Sequence, residues 1–118
     1  MHSQILSLRS ERSFQCLAIT EQVRAFIAAG AGRDGPGRDG AVVISAQHTT
    51  TAVIINELEE RLLLDLEQWL GEIAPAQRPW KHNDLELRPN IPADEPRNAH
   101  ADRKSTRLNS SHSSVSRM

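Results

Sequence analysis

Two apolar runs rich in β-branched residues stand near the middle of the chain and predict buried strands. They span residues 41–46 (AVVISA) and 51–55 (TAVII), with four polar residues between them. Weaker strand patterns at residues 2–8 and 14–19 predict two further strands, the first of them at a sheet edge. The pattern therefore indicates a small β-sheet.

Helical spacing of apolar residues predicts two helices. The first should start at an N-cap Thr20, bury a face that contains Val23 and Phe26, and stop at Gly30. The second should run from about residue 57 to residue 73 and end before Pro75. Its apolar stripe consists of Leu58, Leu62, Leu66, Trp69, Leu70 and Ile73.

Together the elements predict a mixed α+β domain, with a mixed or antiparallel β-sheet and two helices. The leucine stripe of the second helix should pack on the sheet formed by residues 41–46 and 51–55. Residues 79–98 contain four prolines and should be mostly loop. The glycine-rich stretch 30–40 lacks the Gly-Lys-Ser/Thr ending of a phosphate-binding loop, so we assign it no such function.

Length and charge exclude several classes of function. The 118 residues suffice for one small domain, and the net charge of −1 gives no basic excess for nucleic acid. No apolar run approaches the roughly 20 residues of a membrane span, and the first residues lack a secretory pattern. The single cysteine, Cys16, excludes an internal disulfide. We therefore expect a cytoplasmic protein that binds neither nucleic acid nor membranes.

The composition changes sharply after Ala101. Residues 1–101 carry ten basic and fourteen acidic residues, whereas residues 102–118 carry four basic residues, one acidic residue and six serines. Such a segment buries too little apolar surface to offset its ordering entropy. Residues 102–112 also match, codon by codon, one reading frame of a common short-read sequencing-library adapter. We therefore interpret residues 1–101 as the domain and residues 102–118 as a non-native, disordered tail.

Three polar clusters could carry chemistry. His48 with Thr49 and Thr50 lies between the two central strands, Asn56-Glu57 lies where strand gives way to helix, and His82-Asn83-Asp84 follows the second helix. A histidine beside hydroxyls can be a metal ligand, a general base or a structural polar residue. Asn56 and Glu57 equally suit a helix start, while His82 with Asp84 suits a metal site. Spacing alone leaves these alternatives open.

The order of these motifs resembles the YjbQ family over roughly residues 1–101. The resemblance is carried by Gln47-His48-Thr49-Thr50-Thr51-Ala52, Ile55-Asn56-Glu57, Asp65, His82-Asn83-Asp84 and Asn98-Ala99-His100-Ala101. It implies an α+β fold, a homotrimer, a histidine-rich metal site near subunit boundaries, and secondary thiamine-phosphate synthase activity.

The resemblance also assigns residues. His48 and His82 correspond to metal-site histidines that would hold a zinc-like divalent ion. Thr49, Thr50, Asn56, Asp84 and Asn98 correspond to the pocket, and His48 or Glu57 would handle protons. The family pattern expects a third histidine at position 102, where this chain has aspartate, and a later Gly-Thr-Trp-Gln stretch that is absent. We therefore expect a C-terminally truncated member with an incomplete site, weak metal affinity and no activity of its own.

Two functions remain. The first is a metal-dependent enzyme that joins hydroxymethylpyrimidine diphosphate to a thiazole phosphate. The second is a non-catalytic trimeric module that binds metal or a small phosphorylated ligand. Cys16 lies far along the chain from any candidate histidine, so the sequence offers no clear nucleophile with an activating base.

Overall fold

The computed structural model describes residues 2–34 and 40–109. Three α-helices and two short 3-10 helices follow one another along these residues. They are α1 (Thr20–Asp34), α2 (Glu60–Ile73), the 3-10 helices Lys81–Asn83 and Leu85–Leu87, and α3 (Ala99–Asn109). The chain divides into two compact units, one up to Val43 and one from Ile44 onward.

The unit up to Val43 is built around α1. The carbonyl of Ile19 accepts the first helical hydrogen bond, from the N–H of Val23 at 3.0 Å. The imidazole of His2 stacks on the ring of Phe26 with centroids 4.6 Å apart. The predicted end at Gly30 is wrong, since α1 continues to Asp34 and Gly30 has no positive φ. A glycine inside a helix lowers helix stability by only about 1 kcal/mol relative to alanine, so the helix can continue through it.

The start of α2 is fixed by a carboxylate. The side chain of Glu59 accepts hydrogen bonds from the N–H groups of Arg61 at 2.9 Å and Leu62 at 2.8 Å. These bonds favour the charged carboxylate and lower the pKa of Glu59. The helix therefore begins at Glu60, three residues after the predicted start at Glu57.

The end of α2 agrees with the sequence. The last helical residue is Ile73, as predicted, and the N–H of Ala74 closes the helix on the carbonyl of Leu70 at 3.1 Å. Pro75 follows and has no N–H with which to continue the helical ladder.

The predicted α+β fold is wrong for the described residues, which contain no β-strand. Segments 42–46 and 51–55 have no regular secondary structure, and Val43 and Ile55 are 92% and 67% exposed. A β-branched run favours a pleated surface that is half-buried against neighbours. Ala41 is in an isolated β-bridge, but no β-strand pairs with these runs among the described residues, whose architecture is helix and loop.

The leucine stripe of α2 therefore has no sheet to cover. Leu70 is fully buried and Leu66 is half-buried, whereas Leu58 is 67% exposed. The buried side chains among the described residues are Leu70, Ala74, Ala99 and Ser105. The described core of the unit from Ile44 onward therefore consists of residues at the end of α2 and in α3. Most of the leucine stripe does not belong to it.

The loop between α2 and α3 is shaped by turns, as its prolines predict. Asn90 follows Pro89 with φ of 57°, in the left-handed region that asparagine tolerates. The loop is then tied by an ion pair between Arg88 and Glu95 at 2.9 Å.

The structure extends α3 into the segment predicted to be disordered. Residues 102–109 are helical, while residues 110–118 lie outside the described residues. The hydroxyls of Ser105 and Thr106 both donate to the carbonyl of Asp102, at 3.0 and 2.8 Å. The domain boundary at residue 101 and the non-native origin of the tail stay predictions.

None of the helices in the described ranges is both long and apolar enough to cross a membrane.

Substitution of Leu70 tests the position of the core. We expect Leu70→Ala to lower the free energy of unfolding by about 2–5 kcal/mol, because it leaves a cavity around a fully buried side chain. Leu58→Ala, at an exposed position two residues before the start of α2, should cost less than about 0.5 kcal/mol. Urea denaturation measures both, and equal effects of the two substitutions would contradict this assignment of the core.

Candidate functional site

An open cleft of about 910 Å³ lies within the unit from Ile44 onward. Three stretches of chain form its walls: the turn after residue 47, the segment between α2 and the first 3-10 helix, and α3 with the residues before it. The lining residues are His48, Thr49, Arg78, Pro79, Trp80, Lys81, His82, Glu95, Pro96, Asn98, Ala99, Asp102, Arg103 and Thr106.

The first wall is a tight turn. The carbonyl of His48 accepts hydrogen bonds from the backbone N–H of Thr51 at 3.2 Å and from its hydroxyl at 2.8 Å. Threonine favours such local bonds over a sheet ladder, which accounts for a turn between the two β-branched runs. His48 and Thr49 line the cleft from this turn.

The imidazole of His48 is held through Nδ1. The backbone N–H of Thr50 donates to this nitrogen at 3.1 Å, and the Thr50 hydroxyl lies 2.8 Å from it. A backbone N–H can only donate, so Nδ1 is the acceptor and the neutral ring carries its hydrogen on Nε2. His48 therefore offers the cleft a hydrogen-bond donor, rather than the free lone pair that a general base needs.

The second wall follows the end of α2. The indole N–H of Trp80 donates to the carbonyl of Pro75 at 2.8 Å, and the carbonyl of Trp80 accepts from the N–H of Asn83 at 2.9 Å. These bonds fix the first 3-10 helix, which carries Lys81 and His82 into the cleft wall.

Asn83 joins this wall to α3. Its side-chain oxygen accepts the N–H of Ala99, the first residue of α3, at 3.2 Å, and its carbonyl accepts from the guanidinium of Arg97. The turn wall is joined to α3 as well, because the Ser105 hydroxyl donates to the carbonyl of Thr49 and the Asn109 amide to that of Thr51 at 3.2 Å.

The cleft has more uncompensated positive than negative charge. Arg78 and Lys81 line it and form no ion pair with any carboxylate in residues 2–34 and 40–109. Of the two lining carboxylates, Glu95 is paired with Arg88, and Asp102 lies 3.7 Å from Nε2 of His82. The arrangement favours an anionic ligand.

The structure brings together part of the predicted site. His48, His82, Thr49 and Asn98 all line the cleft, and Thr50 contacts His48. Three predicted residues, Asn56, Glu57 and Asp84, do not line it. Asn56 instead donates to the carbonyl of Glu57 at 3.2 Å, and the N–H of Asp84 donates to the carbonyl of Lys81 at 3.1 Å.

Sequence reasoning missed the basic and aromatic part of the cleft. Arg78, Trp80 and Lys81 immediately precede His82, yet only the histidine was singled out. Alternation of cationic and aromatic residues is itself a signal of anion or ring binding, and residues 78–82 carry it. Arg103 and Thr106 belong to the segment interpreted as non-native, so we rest no function on them.

The described side chains do not fit the divalent metal that the family resemblance implies. Within the parts of the chain that the structure describes, no group of three or more His, Cys, Asp or Glu side chains could hold a metal ion. A histidine that binds metal through Nε2 carries a hydrogen on Nδ1, and at His48 that hydrogen would oppose the N–H of Thr50. The metal ion stays a prediction, and no step below depends on it.

Comparison with known proteins shows the family. The profile of the UPF0047 protein YjbQ-like family matches residues 4–115. The chain is 32% identical over 81 residues to a UPF0047 protein of Archaeoglobus fulgidus, and 31% identical over 87 residues to one of Methanothermobacter thermautotrophicus. These alignments cover 69% and 73% of this chain. The chain belongs to the UPF0047 protein YjbQ-like family.

The same alignments cover only part of each relative. The chain spans 58% of the length of the Archaeoglobus protein and 57% of the length of the Methanothermobacter protein. No solved structure matches it.

The hydrogen position on His48 can be measured directly. We expect the Nε2–H tautomer of the neutral ring, because Nδ1 accepts from the N–H of Thr50. A long-range proton–nitrogen correlation spectrum of the labelled protein identifies the protonated nitrogen. Thr50→Val, which removes the hydroxyl but keeps the N–H, should retain this tautomer. Protonation of Nδ1 in the unaltered chain would contradict the assignment.

Proposed function

We propose that the cleft binds a small phosphorylated compound, so that the chain acts as a phosphate-ligand binding module. The observation that carries the proposal is the position of Arg78 and Lys81 in the cleft wall, where neither has a carboxylate partner among the described residues. Both side chains are exposed, so their charges are accessible to an anionic ligand that enters the cleft.

Hydrogen-bond donors support the same ligand class. The neutral His48 carries its hydrogen on Nε2, and Thr49 lines the cleft beside it. A phosphate group has only acceptor oxygens when fully ionised, so donors and cations on opposite walls can bind it together. The open cleft also leaves room for a ligand larger than phosphate itself.

A second candidate function is the thiamine-phosphate synthase reaction that the family resemblance implies. In that reaction the thiazole nitrogen forms a bond to the pyrimidine methylene carbon, while the carbon–oxygen bond to diphosphate breaks and pyrophosphate leaves. The observation that favours it is the pair Arg78 and Lys81, which would neutralise the departing pyrophosphate. Of the predicted proton-handling residues, His48 lines the cleft and Glu57 does not.

Turnover distinguishes the two candidates. The protein is incubated with hydroxymethylpyrimidine diphosphate and thiazole phosphate, and thiamine phosphate is measured. We expect binding of a phosphate compound without formation of thiamine phosphate, because Glu57, one of the two predicted proton-handling residues, does not line the cleft. Formation of thiamine phosphate would establish the enzyme instead.

Pyrophosphate binding tests the proposed ligand class. We expect Lys81→Ala to weaken binding of inorganic pyrophosphate roughly tenfold, because one charge-assisted hydrogen bond is lost. Isothermal titration calorimetry measures the affinity. The matched control is Arg61→Ala, which removes the same charge from the exposed surface of α2 outside the cleft and should leave the affinity unchanged.

Two results would overturn the proposal. One is the absence of pyrophosphate binding to the unaltered chain. The other is an equal loss of affinity in Lys81→Ala and Arg61→Ala, which would indicate attraction to net charge rather than a site in the cleft.

A further inference from the structure

Two uncharged segments of the chain carry backbone groups without a partner. They are the apolar runs 41–46 and 51–55, which lie on either side of the turn at His48. Within the described chain, no hydrogen bond reaches the backbone of residues 43–46 or of residues 52–55. Backbone N–H and C=O groups that have no partner in their own chain are available to pair with another one.

Apolar side chains of both runs also lie in solvent. Val43 is 92% exposed, Ile44 is 45% exposed and Ile55 is 67% exposed. Natural proteins protect exposed segments that favour strands by placing charges or prolines in them. The runs 41–46 and 51–55 contain no charged residue, no proline and no glycine. The sequence of the runs therefore contains nothing that opposes pairing with an added strand.

The same composition selects the partner. When identical segments pair in register, each side chain stacks on its own counterpart in the next chain, about 4.8 Å away. Charged side chains would repel one another in such a stack, whereas valine, isoleucine and threonine pack well on themselves. Both runs are uncharged and rich in these β-branched residues. The partner that fits this surface best is a second copy of the chain.

We infer that the two runs pair with the same runs of other copies and build an intermolecular β-sheet. The β-branched residues, which have no sheet within the described chain, become strands in this assembly. Each added copy presents the same unpaired edge to the next one, so the assembly grows without closing. The inference does not depend on the ligand proposed for the cleft.

Concentration-dependent assembly of the full chain tests the inference. As the concentration rises, infrared spectra should show an intermolecular β-sheet signal, and sedimentation should show a broad range of sizes rather than one closed oligomer. Hydrogen exchange should protect the amides of residues 43–46 and 52–55 in the assembled protein and leave them unprotected in the monomer.

Single aspartates assign the assembly to the runs. Val43→Asp and Ile55→Asp each place a charge where every neighbouring copy carries the same charge. We expect each substitution to raise the concentration required for assembly roughly tenfold. The matched control is Leu87→Asp, which changes the net charge equally at an apolar side chain that is 79% exposed outside the runs. This control should leave the required concentration unchanged, and circular dichroism shows whether each variant keeps its helices.

Three results would overturn the inference. The first is an unaltered chain that stays monomeric up to its solubility limit. The second is assembled protein in which the amides of both runs exchange as fast as in the monomer, a result that does not depend on any variant. The third is an equal effect of Leu87→Asp, which would indicate non-specific association of exposed apolar side chains.

Discussion

The cleft depends on hydrogen bonds that reach across long stretches of sequence to the start and the end of α3. Asn83 accepts the N–H of Ala99 with its side chain and a guanidinium bond from Arg97 with its carbonyl. At the other wall, Ser105 and Asn109 donate to carbonyls of the turn after residue 47. Each bond satisfies a backbone group that no regular sheet or helix satisfies. These hydrogen bonds hold the three walls of the cleft in position relative to one another.

The direction of these bonds also decides the chemistry of the site. The N–H of Thr50 donates to Nδ1 of His48, so the neutral imidazole carries its hydrogen on Nε2. A general base or a metal ligand would need the opposite polarity at His48, with a hydrogen on Nδ1 and a lone pair on Nε2. The proposal of anion binding therefore rests on local backbone geometry at His48 and not on the mere presence of histidines.

Local features of the fold could be predicted from the sequence. The end of α2 at Ile73 could be predicted from Pro75, because a proline stops a helix locally by lacking the N–H that the next helical hydrogen bond needs. The start of α2 could not be predicted as well, because Asn56 and Glu59 are both possible caps. The cap is the side chain that accepts hydrogen bonds from the free N–H groups of the first turn. Glu59 accepts two of them, from Arg61 and Leu62.

Features that depend on distant partners could not be predicted. The β-branched runs predict strands, but a strand requires a second segment to pair with, and the described chain supplies none. Of the candidate site residues, His48, His82, Thr49 and Asn98 line one cleft. Glu57 and Asp84, which the family resemblance assigns to the site, do not line this cleft. Composition alone also missed the helical state of residues 102–109, which is supported by the bond from Ser105 to Thr49.

The most direct test of the account is a map of where phosphate contacts the chain. Nuclear magnetic resonance spectra recorded during a pyrophosphate titration report each backbone and imidazole group separately. We expect the largest shifts to occur together at His48, Lys81 and His82, with saturation at one common pyrophosphate concentration. Shifts confined to basic residues outside the cleft, such as Arg24 and Arg61, would contradict the claim that this cleft is an anion-binding site.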